Sequence, residues 1–408
     1  MSARWIGLMA TVVLFTANPL GAKERRERSP SWAITGAKID RAFTDKSQKV
    51  TVVVTQGVIS CVAANCAIPK GARVVSGEGW TLTPGMVETA AHIGLMEVAL
   101  EKSSHDGYVT GVDNAADVMA RDGISMNSRV VRAAVRGGVT RAVSAPRAAA
   151  LVAGQSVAIW TASADITAAI EMPSVALHVR VGEGAKRHAR RALIGARSGQ
   201  FATLRTLFEA ATSKRRGSAP WTLGDRSTAV ALKALDGALA GKQLVAIHAH
   251  RASDIAAALR LVARYRLKAV IVGGAEAHVL AKQIKGAGVA VVLTPSRANR
   301  FATLRARPDA AALLHRAGVR VVLASADTFG ARNLRWVAGL AVRRGLPRGV
   351  ALRAITTEAA AVWGLARGEL RVGQRANIVA FSGDPLGLDG HVRFVGSGQD
   401  LIHQPTQR

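Results

Sequence analysis

The chain has 408 residues, enough for one large domain with a small one attached and for a deep core. A hydrophobic content of 49% with 4% aromatics places that core in Ala, Val, Leu and Ile, which suits parallel strands covered by helices and argues against long disordered tracts. The formal charge of +28 is spread along the chain, with few stacking aromatics and no recognised module, so it describes a basic exterior rather than a specific nucleic-acid site. Such an exterior draws acidic glycans, phospholipid head groups or other anionic envelope surfaces, and anionic small molecules.

Residues 1–22 read as a signal peptide. Arg4 gives a positive start, Ile6–Phe15 is an apolar run short for a bilayer, and Ala22 offers a small cleavage residue before the charged Lys23–Arg28. The competing reading is an uncleaved anchor. Export predicts a periplasmic or secreted protein. In an oxidising compartment Cys61 and Cys66, the only cysteines, either close a disulfide across a turn or remain two small buried hydrophobes.

Beyond the leader, Val50–Thr55, Gly57–Val62 and Arg73–Val75 read as strands of a small β-unit. A different rhythm follows. Val139–Ala145, Val175–Val181, Leu244–Ala249, Lys268–Val272, Val289–Leu293 and Val319–Ala324 are β-rich apolar segments. Amphipathic helices at Asp254–Tyr265, Ala277–Ala287 and Arg307–Ala317 lie between them, and the alternation predicts a parallel sheet, open or closed into a barrel. After a turn-rich link at Gly368–Arg375, strands return at Asn377–Ser382 and Val392–Val395. The two ends are expected to pair into one small sheet domain.

The segment Trp80–Gly94 (WTLTPGMVETAAHIG) resembles the first barrel strand of the amidohydrolase superfamily, in its imidazolonepropionase-like and dihydroorotase-like branches. Pro84, Gly85, Met86, Val87 and Glu88 match a frame that ends, in the family, with His-x-His. Gly57-Val58-Ile59, Ile68-Pro69-x-Gly71-Ala72 and Arg371–Pro385 resemble the two halves of the family's β-sandwich. Gly137–Pro146, Gly154-Gln155-Ser156, Val245–His250, Val272–Glu276 and Ala331–Leu334 resemble a periplasmic subgroup. The resemblance covers nearly the whole chain after the leader. It implies an α/β fold, a (β/α)8 TIM-type barrel over residues 83–367, with a composite β-sandwich from residues 30–82 and 368–408. It also places the site at the C-terminal strand ends.

The chemistry implied is hydrolysis of non-peptide C–N bonds, as in cyclic amides, with a divalent metal, usually zinc, activating water and a carboxylate shuttling protons. Residues two apart share a strand face, so Glu88, residue 90 and His92 are expected to point together into the mouth; residue 90 is alanine. His248 matches the ligand on the fifth strand, and His250 lies two residues on, as a third ligand or as a strand cap. Gly273 stands where the sixth strand usually carries histidine. Alignment from Ala331–Leu334 puts Ala326 on the usual aspartate position, with Asp327 swung inward only if the strand end bulges. The resemblance therefore implies metal ligands His92, His248 and His250, with Glu88 or Asp327 as base. The alternative is an inactive relative that keeps the scaffold as a ligand-binding or scaffold protein in the cell envelope. No Gly-x-Ser-x-Gly nucleophile elbow occurs, Gly182-Glu183-Gly184 is too isolated for a nucleotide loop, and His105–Tyr108 reads as a loop over the mouth or a surface turn.

Overall fold

The computed structural model describes residues 25–45, 48–109, 112–146, 150–163, 165–186, 192–215, 227–295 and 303–403. The expected leader, residues 1–22, lies outside them. The chain ends meet as expected. Asn377–Ser382 runs antiparallel to Trp80–Pro84 on one side and to His391–Ser397 on the other. Arg25–Arg28 pairs with Asp400–His403, and the whole forms one nine-stranded sheet. Ser31–Ile39 divides its pairing, its first half against Arg73–Ser76 and its last two residues against Trp80–Pro84. Period-2 alternation gives this sheet two apolar faces. Trp32, Ile34, Val52, Leu82, Ile378 and Phe394 fill one, while Val379, Phe381, Val395 and Ile402 join the larger core of the rest of the chain. Cys61 and Cys66 close a disulfide with Cα atoms 6.0 Å apart, which settles the choice between the two cysteine readings.

The βα stretch builds two further sheets. In the six-stranded one, Ala176–Arg180, Leu244–Ala249, Ala269–Gly273, Ala290–Leu293 and Val321–Leu323 follow one another in parallel. Each contributes β-branched or small apolar residues to two separate apolar clusters, one on each face, as buried parallel strands require. Helices between them bury one stripe; in Ala252–Tyr265 it is Ile255, Ala258, Leu261 and Val262. In the four-stranded sheet Met86–Glu88 lies parallel to Val139–Ser144.

One feature departs from the expected parallel alternation. Val152–Gln155 and Val157–Trp160, separated only by Ser156, run antiparallel to Ala176–Arg180 and to Val139–Ser144 respectively. Ser156 exchanges backbone hydrogen bonds with Ala176 (2.9 Å) and Val175 (2.8 Å), so this run joins the two sheets. On the opposite side the amide of Val87 donates to Ile355 (2.8 Å), and that of Ser325 donates to the Glu88 carboxylate (2.9 Å). A single apolar cluster, including Val87, Val143, Ala158, Ala246, Val270, Val292 and Val322, is thereby enclosed by strands of both sheets.

Candidate ligand cavity at the C-terminal strand ends

Three strand ends supply the imidazoles and the guanidinium of this cavity. In Ala176–Arg180 the alternation puts Ala176, His178 and Arg180 on one face. Arg180 stands opposite His248 in the parallel register with Leu244–Ala249. His250 follows just past that strand. His92 comes from the segment after Met86–Glu88. These side chains, with Thr89, Ala90, Gly273, Thr294 and Ala326, line a cavity of about 190 Å³.

The imidazoles are held in different ways. His178 Nδ1 and His248 Nε2 are 2.9 Å apart, so one ring donates to the other. His92 Nδ1 donates to the carbonyl of Ala145 (2.7 Å), which makes Nε2 the acceptor nitrogen of the neutral ring. The His250 ring occupies the space over Gly273. A Cβ at Gly273 would sit 2.5 Å from His250 Cε1, so histidine at 250 fills the room that a side chain at 273 would need. Burial, then the charge of Arg180, pushes His178 down to about 3. The same two causes hold His248 well below the usual imidazole range and lower His250.

The carboxylates lie elsewhere. The Glu88 side chain is fully buried; one oxygen accepts from the amides of Thr89 and Ala90 (both 2.9 Å) and the other from Ser325. Burial raises its pKa while these donors oppose the rise. The expected shared face of Glu88, Ala90 and His92 is not formed. The strand ends at Glu88 and the chain bends at Ala90, so alternation does not carry forward. Ala90 and His92 reach the cavity and Glu88 does not. Asp327 Oδ1 accepts from the amides of Phe329 (3.1 Å) and Gly330 (3.0 Å), which turns it into the following loop and away from the cavity lining; Ala326 lines the cavity instead. Ala326 does so with φ 51°, a left-handed conformation unusual for a residue with a Cβ.

Of the residues singled out from sequence, His92, His248 and His250 come together, while Glu88 and Asp327 do not join them. Sequence reasoning missed His178 and Arg180. The available signal was a polar pair two apart inside the apolar run Val175–Val181. His105 is half-buried, its ring bonded to the Val98 carbonyl (2.8 Å), and takes no part in the lining. Among the described residues no group of three or more His, Cys, Asp or Glu side chains is placed to hold a metal ion. Nor is any helix of the described residues long and apolar enough to cross a membrane.

The Amidohydrolase family model matches residues 81–403. Among solved structures, an amidohydrolase from Thermotoga maritima MSB8 superposes with a TM-score of 0.82 at 25% identity, over 90% of this chain and 98% of that one. A beta-aspartyl dipeptidase from Fervidobacterium islandicum AW-1, in complex with a beta-Asp-Leu dipeptide, gives 0.53 at 13% identity over 91% and 96%. An N-isopropylammelide isopropylaminohydrolase from Burkholderia multivorans ATCC 17616 gives 0.50 at 19% over 91% and 98%. The comparison with curated proteins finds no match.

Proposed function

The chain belongs to the amidohydrolase family, whose structural neighbours imply a TIM-barrel fold with mixed sheets, and from that premise we propose that it is a non-catalytic member acting as a small-ligand-binding protein of the cell envelope. In this reading the βα stretch is the family's (β/α)8 barrel and the terminal sheet its composite β-sandwich. Family members generally bind a divalent metal, and the donor set here does not fit one. The observation that carries the reading is the composition of the cavity: imidazoles and Arg180, with no carboxylate among the described lining residues. A hydrolytic centre needs about three converging ligands with an open position, and a nearby carboxylate to move protons. Here the His178–His248 hydrogen bond occupies one nitrogen of each ring, and Arg180 adds a positive charge beside them. Glu88 is engaged by three backbone amides. Placement in an exported compartment is supported by the Cys61–Cys66 disulfide together with the leader-like residues 1–22.

The second reading is a metal-dependent hydrolase of C–N bonds using His92, His248 and His250, with Glu88 or Asp327 as base. It is favoured by the gathering of those three histidines, with His178, around one cavity. Metal analysis of the purified chain separates the two. Non-catalytic binding predicts no stoichiometric zinc, manganese or iron, no uptake on dialysis against zinc, and no turnover of dipeptide, hydantoin or lactam substrates. Stoichiometric metal that is lost in His92→Ala or His248→Ala would establish the hydrolase reading instead.

A further inference from the structure

The cavity's charge is that of an anion site. Arg180 is the one side chain with a fixed charge among the described lining residues. Around it stand the rings of His92, His178, His248 and His250, and an imidazole presents at least one N–H donor. His178 is 2% exposed and lines the cavity, and its Nε2 has no hydrogen-bond partner among the described residues. A buried polar atom left in this way asks for a ligand or a water. One tautomer arrangement answers both facts: His248 Nε2–H donates to His178 Nδ1, and His178 Nε2–H becomes the donor that remains. Size limits the occupant. About 190 Å³ is below the roughly 300–1,000 Å³ of pockets for drug-sized ligands, and suits a group as small as acetate or phosphate.

We propose that this cavity binds a small oxyanion, the carboxylate or phosphate group of a small molecule, held by Arg180 and by imidazole N–H groups at the strand ends where the family places its metal. The guanidinium's planar fork matches either group in a bidentate manner, which a lysine cannot reproduce. The inference rests on the non-catalytic reading above, since a bound divalent cation would demand the opposite lining.

Calorimetric titration of the whole chain with acetate, with inorganic phosphate and with zinc chloride, at constant ionic strength, tests it. The expected result is saturable, stoichiometric binding of one of the two oxyanions. Whichever of the two binds identifies the group. Arg180→Gln should weaken that binding about tenfold or more, as for a lost charge-assisted hydrogen bond, and Arg180→Lys should weaken it less. Circular dichroism checks that each variant is folded; if Arg180→Gln is not, a several-fold loss in Arg180→Lys carries the comparison. No saturable heat from either oxyanion at tens of millimolar, or unchanged affinity in a folded Arg180 variant, overturns the anion site and leaves the non-catalytic reading standing. Stoichiometric zinc binding that disappears in His92→Ala or His248→Ala overturns both.

Discussion

The imidazoles and the carboxylates at the strand ends occupy two different regions. His92, His178, His248 and His250 share one cavity with Arg180. The acids nearby face the backbone or an arginine: Glu88 takes three amides, Asp327 two, Glu276 those of Ala252 (2.9 Å) and Arg305 (3.1 Å), and Asp254 the Arg197 guanidinium (2.9 Å). A hydrolytic metal centre mixes the two kinds of group, because imidazoles hold the ion while a carboxylate moves the proton. Their separation here means that the acids serve the backbone or an arginine while the imidazoles line the cavity with Arg180, so removing members of the two sets should fail in different ways.

The largest effect is expected on the acid side. Glu88→Ala leaves the amides of Thr89, Ala90 and Ser325 without their acceptor in a closed interior, at about 1–3 kcal/mol each. Urea unfolding should show a loss of roughly 3 kcal/mol or more, or no folded protein, and Glu88→Gln a smaller loss. A folded Glu88→Ala of wild-type stability would break the assignment of this acid to the scaffold.

On the imidazole side the effect depends on pH. His178 is pushed down to about 3 from an ordinary 6.5. Between those values the unfolded chain binds a proton that the folded chain does not, so this contribution to stability is complete above pH 6.5 and is lost as pH falls toward 3. The slope is at most about 1.4 kcal/mol per pH unit for each such ring, and His248 and His250, also lowered, add to it in the same direction. Unfolding measured from pH 7 to 5 should show stability falling with acid, with a shallower slope in His178→Gln. An identical slope in that variant would show that His178 titrates normally.

Gly273 belongs to the imidazole region, because its missing side chain makes room for the His250 ring. It also has φ 101°, where an added Cβ is strained. Gly273→Ala should cost about 2 kcal/mol through overpacking and backbone strain. His250→Ala should recover part of that cost by vacating the same space. If the two substitutions are additive in a double-mutant cycle, the ring and the glycine are not coupled.

Particular elements show which parts of this arrangement were legible in the sequence. Leu244–Ala249, with apolar residues up to a terminal His-x-His, folds as a strand at the expected residues, because a run of 6 residues with β-branched side chains suits a strand and is short for a helix. The pairing of the chain ends through Trp80–Pro84 and Asn377–Ser382 was legible for the same reason. The antiparallel course of Val152–Trp160 was not, since a strand buried on both faces has no alternation to report its direction. His178 was overlooked because one polar residue in an apolar strand reads as tolerated burial until its neighbour across the sheet is known. Glu88 and Asp327 looked catalytic because they are acids at strand ends. Which way they turn depends on where the strand stops, and that is set by tertiary hydrogen bonds such as Ser325 to Glu88.

The smallest effect is expected at the turn that separates Asp327 from the cavity. Ala326 adopts φ 51°, so that position 326 lines the cavity while Asp327 caps the amides of Phe329 and Gly330. A left-handed residue with a Cβ costs roughly 1–2 kcal/mol, and glycine removes that cost but adds freedom to the unfolded chain. Ala326→Gly should therefore raise stability by up to about 1 kcal/mol. Ala326→Asp places a carboxylate at the cavity that Arg180 also lines, in the same strained conformation. It should be less stable than Ala326→Gly, and it should abolish oxyanion binding by supplying the counter-charge from within the protein. Retained oxyanion affinity in a folded Ala326→Asp would mean that the charge of this cavity does not select its ligand, and the division between imidazole and carboxylate regions would then be a matter of packing alone.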